Sequence, residues 1–221
     1  MLEKKEFFLK AGNLGAKHGF SLRTGSEVAF FQEAGFSRLP VTIKQIHGNE
    51  VVRVDHEAEF LEGDALITNK AGIPVAVMTA DCVPILLNDP VRGAIAAIHA
   101  GWRGTEKKIV QATIARMGLE YGTLPKDLFA AIGPAIGPCC YEVGSEVFSE
   151  LSKLPGAEDC LSERSGKTYA DLKKLNSHQL KEAGVTEISI SDSCTRCEKE
   201  LFFSYRRDGA HAGRMISAIE I

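Results

Sequence analysis

Three side chains that bind borderline metal cations stand where short apolar runs meet turns: His47 in "QIHGN", Cys82 in "TADCVP" and His99 in "AIHAGW". Neutral imidazole and thiolate are zinc donors, and a catalytic zinc takes three protein ligands with a fourth position left for water or substrate. Two histidines and one cysteine match that count. Their separation along the chain matches no short zinc motif, so spacing alone favours a second account, in which all three are ordinary buried side chains of strands. Asp81 precedes Cys82 and could orient a ligand histidine, move protons or cap the following turn. In "GWRG", Trp102 could stack on a planar ring and Arg103 could make forked hydrogen bonds to a phosphate; equally, they could be a core anchor and a surface charge. Arg206 and Arg207 lie in "SYRRDG", near a turn.

The remaining cysteines offer weaker patterns. "CTRC", residues 194 to 197, has redox or metal spacing, but one such pair is half of a structural zinc site and follows no thioredoxin-like strand. It is assigned to packing, as are adjacent Cys139 and Cys140 at an expected helix start. Six cysteines in 221 residues, unevenly spaced, do not frame a disulfide scaffold. His18, His56, His178 and His211 lie in polar or helical settings where surface or hydrogen-bonded histidine is the default.

Strands and turns must position these groups. "VTIKQIHGNEVVRVD" alternates into a Gly-Asn turn and out again, which predicts a hairpin with His47 at its tip. "DALIT", "IPVAVMT", "PILLND", "GAIAAIHA" and "LFAAIGPAIG" are short apolar runs bounded by turn residues and predict mostly buried strands. Helical spacing from Thr105 to Met117 predicts a helix with Thr105 as N-cap and Gly118 as stop. "YEVGSEVFSELSKL" and "ADLKKLNSHQLKEAG" predict further helices, the second closed by Gly184. Residues 152–168 read as a long surface loop. "EISIS", "LFFSYRR" and "RMISAIEI" complete the strands. Strands joined by both hairpins and helices imply α+β, with mixed sheets and helices packed outside.

Length and 44% hydrophobic residues allow a full core, read as one catalytic domain over 1–221. The balance of 26 Lys+Arg against 29 Asp+Glu gives a net charge of -3 without long like-charge runs, which argues against nucleic acid as partner. The first ten residues, "MLEKKEFFLK", hold no continuous apolar run, and no segment approaches the roughly eighteen apolar residues of a membrane span. A soluble, cytoplasmic protein is expected.

Five motifs in one order, "KQIHG" (44–48), "TADCVPILL" (79–87), "HAGWRG" (99–104), "IGPAIGPCCYEVG" (132–144) and "FFSYRRDG" (202–209), closely resemble one bacterial family. These are the laccase-domain proteins, formerly described as polyphenol oxidoreductases and now as purine nucleoside phosphorylases with adenosine deaminase activity. The resemblance spans nearly the whole chain. It implies an α/β/β/α sandwich of the cytotoxic necrotizing factor-like type and a catalytic zinc on His47, Cys82 and His99. It further implies phosphorolysis of adenosine, inosine and methylthioadenosine, together with deamination of adenosine. Within that frame Trp102, Arg103 and Arg206 are the expected substrate-binding residues and Asp81 the expected proton-transfer residue. Two other chemistries compete. A copper polyphenol oxidase could use the same donors, since copper outcompetes zinc at most nitrogen and sulfur sites, but a multicopper centre needs many further histidines and only four remain, none in a His-x-His pair. A cysteine hydrolase or deamidase would use Cys82 as nucleophile, His99 as base and His47 as orienter.

Overall fold

The computed structural model describes residues 2–56 and 61–221. Its central layer is a six-stranded mixed sheet, in the order Glu187–Ile190, Phe129–Ile132, Val83–Asp89, Ala94–Ala100, Ala65–Thr68, Val51–Arg53. The two outermost pairings are parallel and the inner ones antiparallel. Every residue of Val83–Asp89 and Ala94–Ala100 is buried, as expected of strands covered on both faces. Alternation sorts their side chains. Ile85, Leu87, Ala96 and Ile98 face the helices Ile109–Tyr121 and Leu172–Glu182 through Ile109, Met117, Leu172 and Leu175. Leu86, Ile95 and Ala97 face a second, antiparallel sheet through Phe20, Val75, Val77 and Ile219.

That second sheet has the order Leu2–Lys4, Phe8–Ala11, Lys17–Ser21, Met215–Glu220, Val75–Thr79. Its outer face is covered by Phe30 and Phe31 of the helix Glu27–Ala34, packed on Phe8, Ala76 and Ile216. Helices, sheet, sheet and helix therefore stack as the expected α+β sandwich. A small three-stranded sheet, Glu142–Val143, Lys167–Ala170 and Leu161–Arg164, lies apart from both.

Several local expectations differ from the fold. Residues 41–55 form no hairpin. Val51–Arg53 pairs in parallel with Ala65–Ile67, while the segment before His47 makes isolated bridges to Val75 and Glu62. Long-range pairing to a buried strand has overridden the local turn signal. The predicted helix from Thr105 is two helices, Trp102–Glu106 and Ile109–Tyr121, broken at Lys108 in the left-handed region (φ 57°). The second runs through Gly118 and stops at Gly122 (φ 72°). Thr105 is no cap: its buried hydroxyl accepts a hydrogen bond from Asn176 at 2.9 Å. Residues 152–168 are not simply loop, because Leu161–Arg164 and Lys167–Ala170 form a hairpin around Ser165 and Gly166, both at positive φ. "LFFSYRR" contains no strand; Ser204 caps a single helical turn, Tyr205–Asp208.

Candidate active site

Strand register brings Cys82 and His99 to the same strand ends. Val83–Asp89 and Ala94–Ala100 pair Val83 with Ala100 and Pro84 with His99, so Cys82, one residue beyond the pair, comes to Gly101. His47 approaches from a turn in which its own φ is 57°. The buried carboxylate of Asp64 holds that turn, accepting from His47 N at 3.0 Å and Gly48 N at 2.6 Å. The donor atoms of His47, Cys82 and His99 all lie within 4.8 Å of one another, and the two imidazole rings meet edge-on at 4.8 Å.

Asp64 also fixes His99. Its Oδ1 lies 2.8 Å from His99 Nδ1, and its carbonyl accepts from His99 N at 2.7 Å. A histidine whose Nδ1–H is committed to a carboxylate presents Nε2 as the donor, with the tautomer and ring plane set. In the protein without metal, burial opposes charge on Cys82, but hydrogen bonds from both histidines outweigh it and bring the thiol down to about 6. Burial likewise disfavours the His99 imidazolium, yet Asp64 and Cys82 together raise it to about 9. Burial pushes Asp64 upward, and its bonds to His99, Gly48 and His47 hold it below the usual carboxylate range.

The donor set fits a metal cation. Two imidazoles and one thiolate supply three ligands of the types zinc and copper take. Gly101 keeps their approach open, since a Cβ there would sit 3.2 Å from His47 Nδ1 and 3.3 Å from Cys82 Sγ.

The donors lie where two cavities meet. The larger, about 480 Å³, is lined by His47, Cys82 and His99 together with Gln45, Met78, Asp81, Tyr141, Arg206 and Arg214. The smaller, about 150 Å³, shares His47, Cys82, Asp81 and Tyr141 and adds Trp102, Arg103 and Leu172. Arg103 lies over the Trp102 ring at 4.4 Å. Arg206 lies 5.3 Å from the Tyr141 ring and donates to the Glu142 carbonyl at 2.9 Å. Asp81 (φ 89°) has both oxygens engaged, accepting from the Thr195 hydroxyl at 2.6 Å, the Ser204 hydroxyl at 3.1 Å and Arg206 N at 2.6 Å. It caps a turn, but that of 205–208 rather than the one that follows it in sequence.

Asp64, Tyr141 and Arg214 are site residues that the sequence reading does not single out. Asp64 had a usable signal: like Asp81 it follows or precedes a turn residue at the mouth of an apolar strand, in "GDALIT". The assignment of the other cysteines also changes. Cys139 and Cys140 lie in a turn well before the helix Ser145–Leu151, and their sulfurs cluster with those of Cys194 and Cys197.

Residues 26–221 match the family described as multi-copper polyphenol oxidoreductase laccase. The chain belongs to this family. It is 44% identical over 178 residues to the purine nucleoside phosphorylase of Clostridium acetobutylicum, covering 80% of this chain and 75% of that one. To the purine nucleoside phosphorylase of Deinococcus radiodurans it is 41% identical over 190 residues, covering 86% and 71%. Among solved structures, YlmD from Geobacillus stearothermophilus matches with a TM-score of 0.89 at 31% identity, over 99% of this chain and 98% of that one. Bacillus licheniformis YfiH matches with a TM-score of 0.88 at 27% identity, over 100% and 98%.

Proposed function

We propose that the protein is a zinc-dependent purine nucleoside phosphorylase with accompanying adenosine deaminase activity, built on His47, Cys82 and His99. The observation that carries this is the three-donor group, oriented by Asp64 and open to a nucleoside-sized cavity, in a chain 44% identical over 178 residues to a protein named purine nucleoside phosphorylase. Zinc held there supplies Lewis-acid charge to the reacting centre, and copper could occupy the same donors.

Phosphorolysis joins a phosphate oxygen to C1′ of the ribose as the bond to the purine breaks, and the departing base takes up a proton. Arg103 and Arg206, which line cavities that also contain the metal ligands, are assigned to hold the phosphate charge. Arg214 adds a third cation to the larger cavity. Trp102 and Tyr141 offer flat apolar faces to the purine. Tyr141 keeps its phenolic proton, because burial pushes it up to about 12, and can therefore donate to a ring nitrogen. Asp81, first expected to move protons, is reassigned to positioning: three donors occupy its oxygens, and it ties Arg206 to the Cys82 loop. Deamination adds water at C6 of adenosine and releases the amino group as ammonia, and it is assigned to the same cavity because that cavity would hold the purine beside the donor group.

Incubating the purified protein with adenosine or inosine should give ribose 1-phosphate only when phosphate is present, equally well in air and without oxygen. Oxygen-dependent oxidation of a phenol with no phosphorolysis would instead support the oxidase. The donors speak against a multicopper centre, since His47, Cys82 and His99 are the only histidine-containing candidate metal group among the described residues.

A second assignment has one observation in its favour. Cys82, His99 and Asp64 follow one another in hydrogen-bonding order, the arrangement of a nucleophile, its base and an orienting carboxylate. In that hydrolase Asp64 would be the orienter in place of His47. Chelation separates the two: a zinc phosphorylase loses turnover when stripped, whereas a thiol hydrolase keeps or gains it.

A further inference from the structure

The strands Phe129–Ile132 and Glu187–Ile190 are parallel neighbours at one edge of the six-stranded sheet, with Ile132 paired to Ile190. Parallel pairing makes the loops that leave them emerge at the same end, and an isolated bridge between Ala135 and Cys194 keeps those loops together. Cys139 and Cys140 lie on one loop, Cys194 and Cys197 on the other. The Sγ atom of Cys197 is 3.3 Å from that of Cys140 and 3.7 Å from that of Cys139. All four sulfurs lie within 4.8 Å of one another. A tetrahedral tetrathiolate with metal–sulfur bonds of about 2.3 Å has sulfur–sulfur edges of about 3.8 Å.

The geometry points to a second metal site, a structural zinc held by Cys139, Cys140, Cys194 and Cys197. The surroundings fit the charge such a site carries. Four thiolates around a dication leave two negative charges, and hydrogen bonds from N–H groups to sulfur disperse them. Gly137 N donates to Cys194 Sγ at 3.2 Å. The Arg196 side chain brings a positive charge beside Cys140. The buried ammonium of Lys173 donates to the carbonyls of Ser191 and Ser193, both at 2.7 Å, on the segment leading into Cys194. Gly137 itself is constrained, because a Cβ there would lie 3.3 Å from Cys139 Sγ and 3.3 Å from Cys194 Cβ. With four protein ligands the site has no open position, so its role is to cross-link. One loop carries Ile136 and Tyr141 of the cavity wall. The other carries Thr195, which holds Asp81 beside Cys82.

The test uses the full chain with Cys82→Ser, which removes the thiolate of the other donor group, reduced, stripped with chelator and titrated with Co2+. One equivalent should bind with intense thiolate-to-cobalt charge transfer and the d–d bands of tetrahedral cobalt, and Zn2+ should displace it. Adding Cys197→Ser should weaken binding by at least the roughly tenfold to hundredfold that loss of a mere supporting partner costs a metal site. The unsubstituted chain, analysed for zinc after purification, guards against a folding defect of the variants: X-ray absorption should show more zinc–sulfur scattering than the single thiolate of the His47, Cys82 and His99 group can supply. Absence of charge transfer, indifference to Cys197→Ser, or isolation of the chain with Cys197 in a disulfide to Cys139 or Cys140 despite supplied zinc, would overturn the site. None of these readouts depends on phosphorolysis.

Discussion

Asp64 does three things with one carboxylate: it sets the left-handed turn at His47, orients His99, and places a negative charge behind the donors. Asp64→Asn preserves the shape and removes the charge. Metal affinity should fall by about tenfold to a hundredfold, the usual cost of losing a supporting carboxylate, as measured by competition with a chromophoric chelator. Cys82→Ala should go further, removing the metal from this group together with phosphorolysis and deamination, because two neutral imidazoles bring no charge to offset the dication. In the stripped protein, Cys82 ionises at about 6 and His99 keeps its proton until about 9. The thiolate–imidazolium pair therefore exists between those values. The rate of Cys82 alkylation in chelator should rise through about pH 6 and not near the ordinary thiol value of 9.0; a midpoint near the latter would show that the histidines do not stabilise the thiolate. The residue types at 47, 82 and 99 could be read from the sequence as candidates because donors at strand ends stand out. Asp64 has a weaker signal, an acid after Gly63 at the mouth of "DALIT", and what brings it to His99 is the pairing of Ala65 with Ile98, which no local pattern shows.

Elements whose pattern is local were readable in the sequence, and elements made by distant partners were not. The helix Leu172–Glu182 follows from its own sequence: Asp171 caps it by accepting from Lys174 N at 3.0 Å, and Gly184 (φ 98°) ends it. By contrast Val51–Arg53 looks like the return arm of a hairpin until its parallel partner, Ala65–Ile67, is known. "LFFSYRR" looks like a strand until Asp81 and Ser204 draw residues 205–208 into a helical turn. The N-terminal strands gave even less signal, yet they contain a titratable lock. His18, buried on Lys17–Ser21, accepts from Ala11 N at 2.9 Å, with its Nδ1 2.8 Å from the Ala16 carbonyl. Burial lowers its pKa from 6.5. The unfolded chain thus takes up a proton near 6.5 while the folded one resists it, so this contribution to stability is present above that pH and lost as pH falls below it. Chemical denaturation at about pH 7.5 and about pH 5 should show the loss, and His18→Gln should flatten it. An unchanged pH slope in the variant would place the titration elsewhere.

At the scale of the whole molecule the site has a rigid floor and looser walls. His99 and Cys82 stand at the end of a sheet covered on both faces, where the core residues Ile85, Leu86, Ile95 and Ile98 are fully buried. The arginines that line the cavities are exposed: Arg103 on the short helix just past the central strand, Arg206 on a single helical turn, and Arg214 beyond a further turn. This division explains why sequence reading reached the layers, the donors and the wall residues Trp102, Arg103 and Arg206 yet missed Tyr141 and Arg214, since the walls are assembled from segments far apart in the chain. It also makes a prediction about opening. Amides buried in a doubly covered sheet exchange with solvent only when the molecule unfolds, whereas exposed turns open locally at little cost. The amides of residues 85–88 and 95–99 should therefore be slower than those of 206–213 by at least about a thousandfold, the factor that even a modest global stability imposes. Chelation should leave the core pattern in place while speeding exchange at 47–48 and at 194–197, the two places where a metal would tie loop to loop. Hydrogen exchange read by mass spectrometry, with and without chelator, decides this. Uniform loss of protection on chelation would mean that the metals hold the fold itself, and no change at 194–197 would count against a metal at the four cysteines.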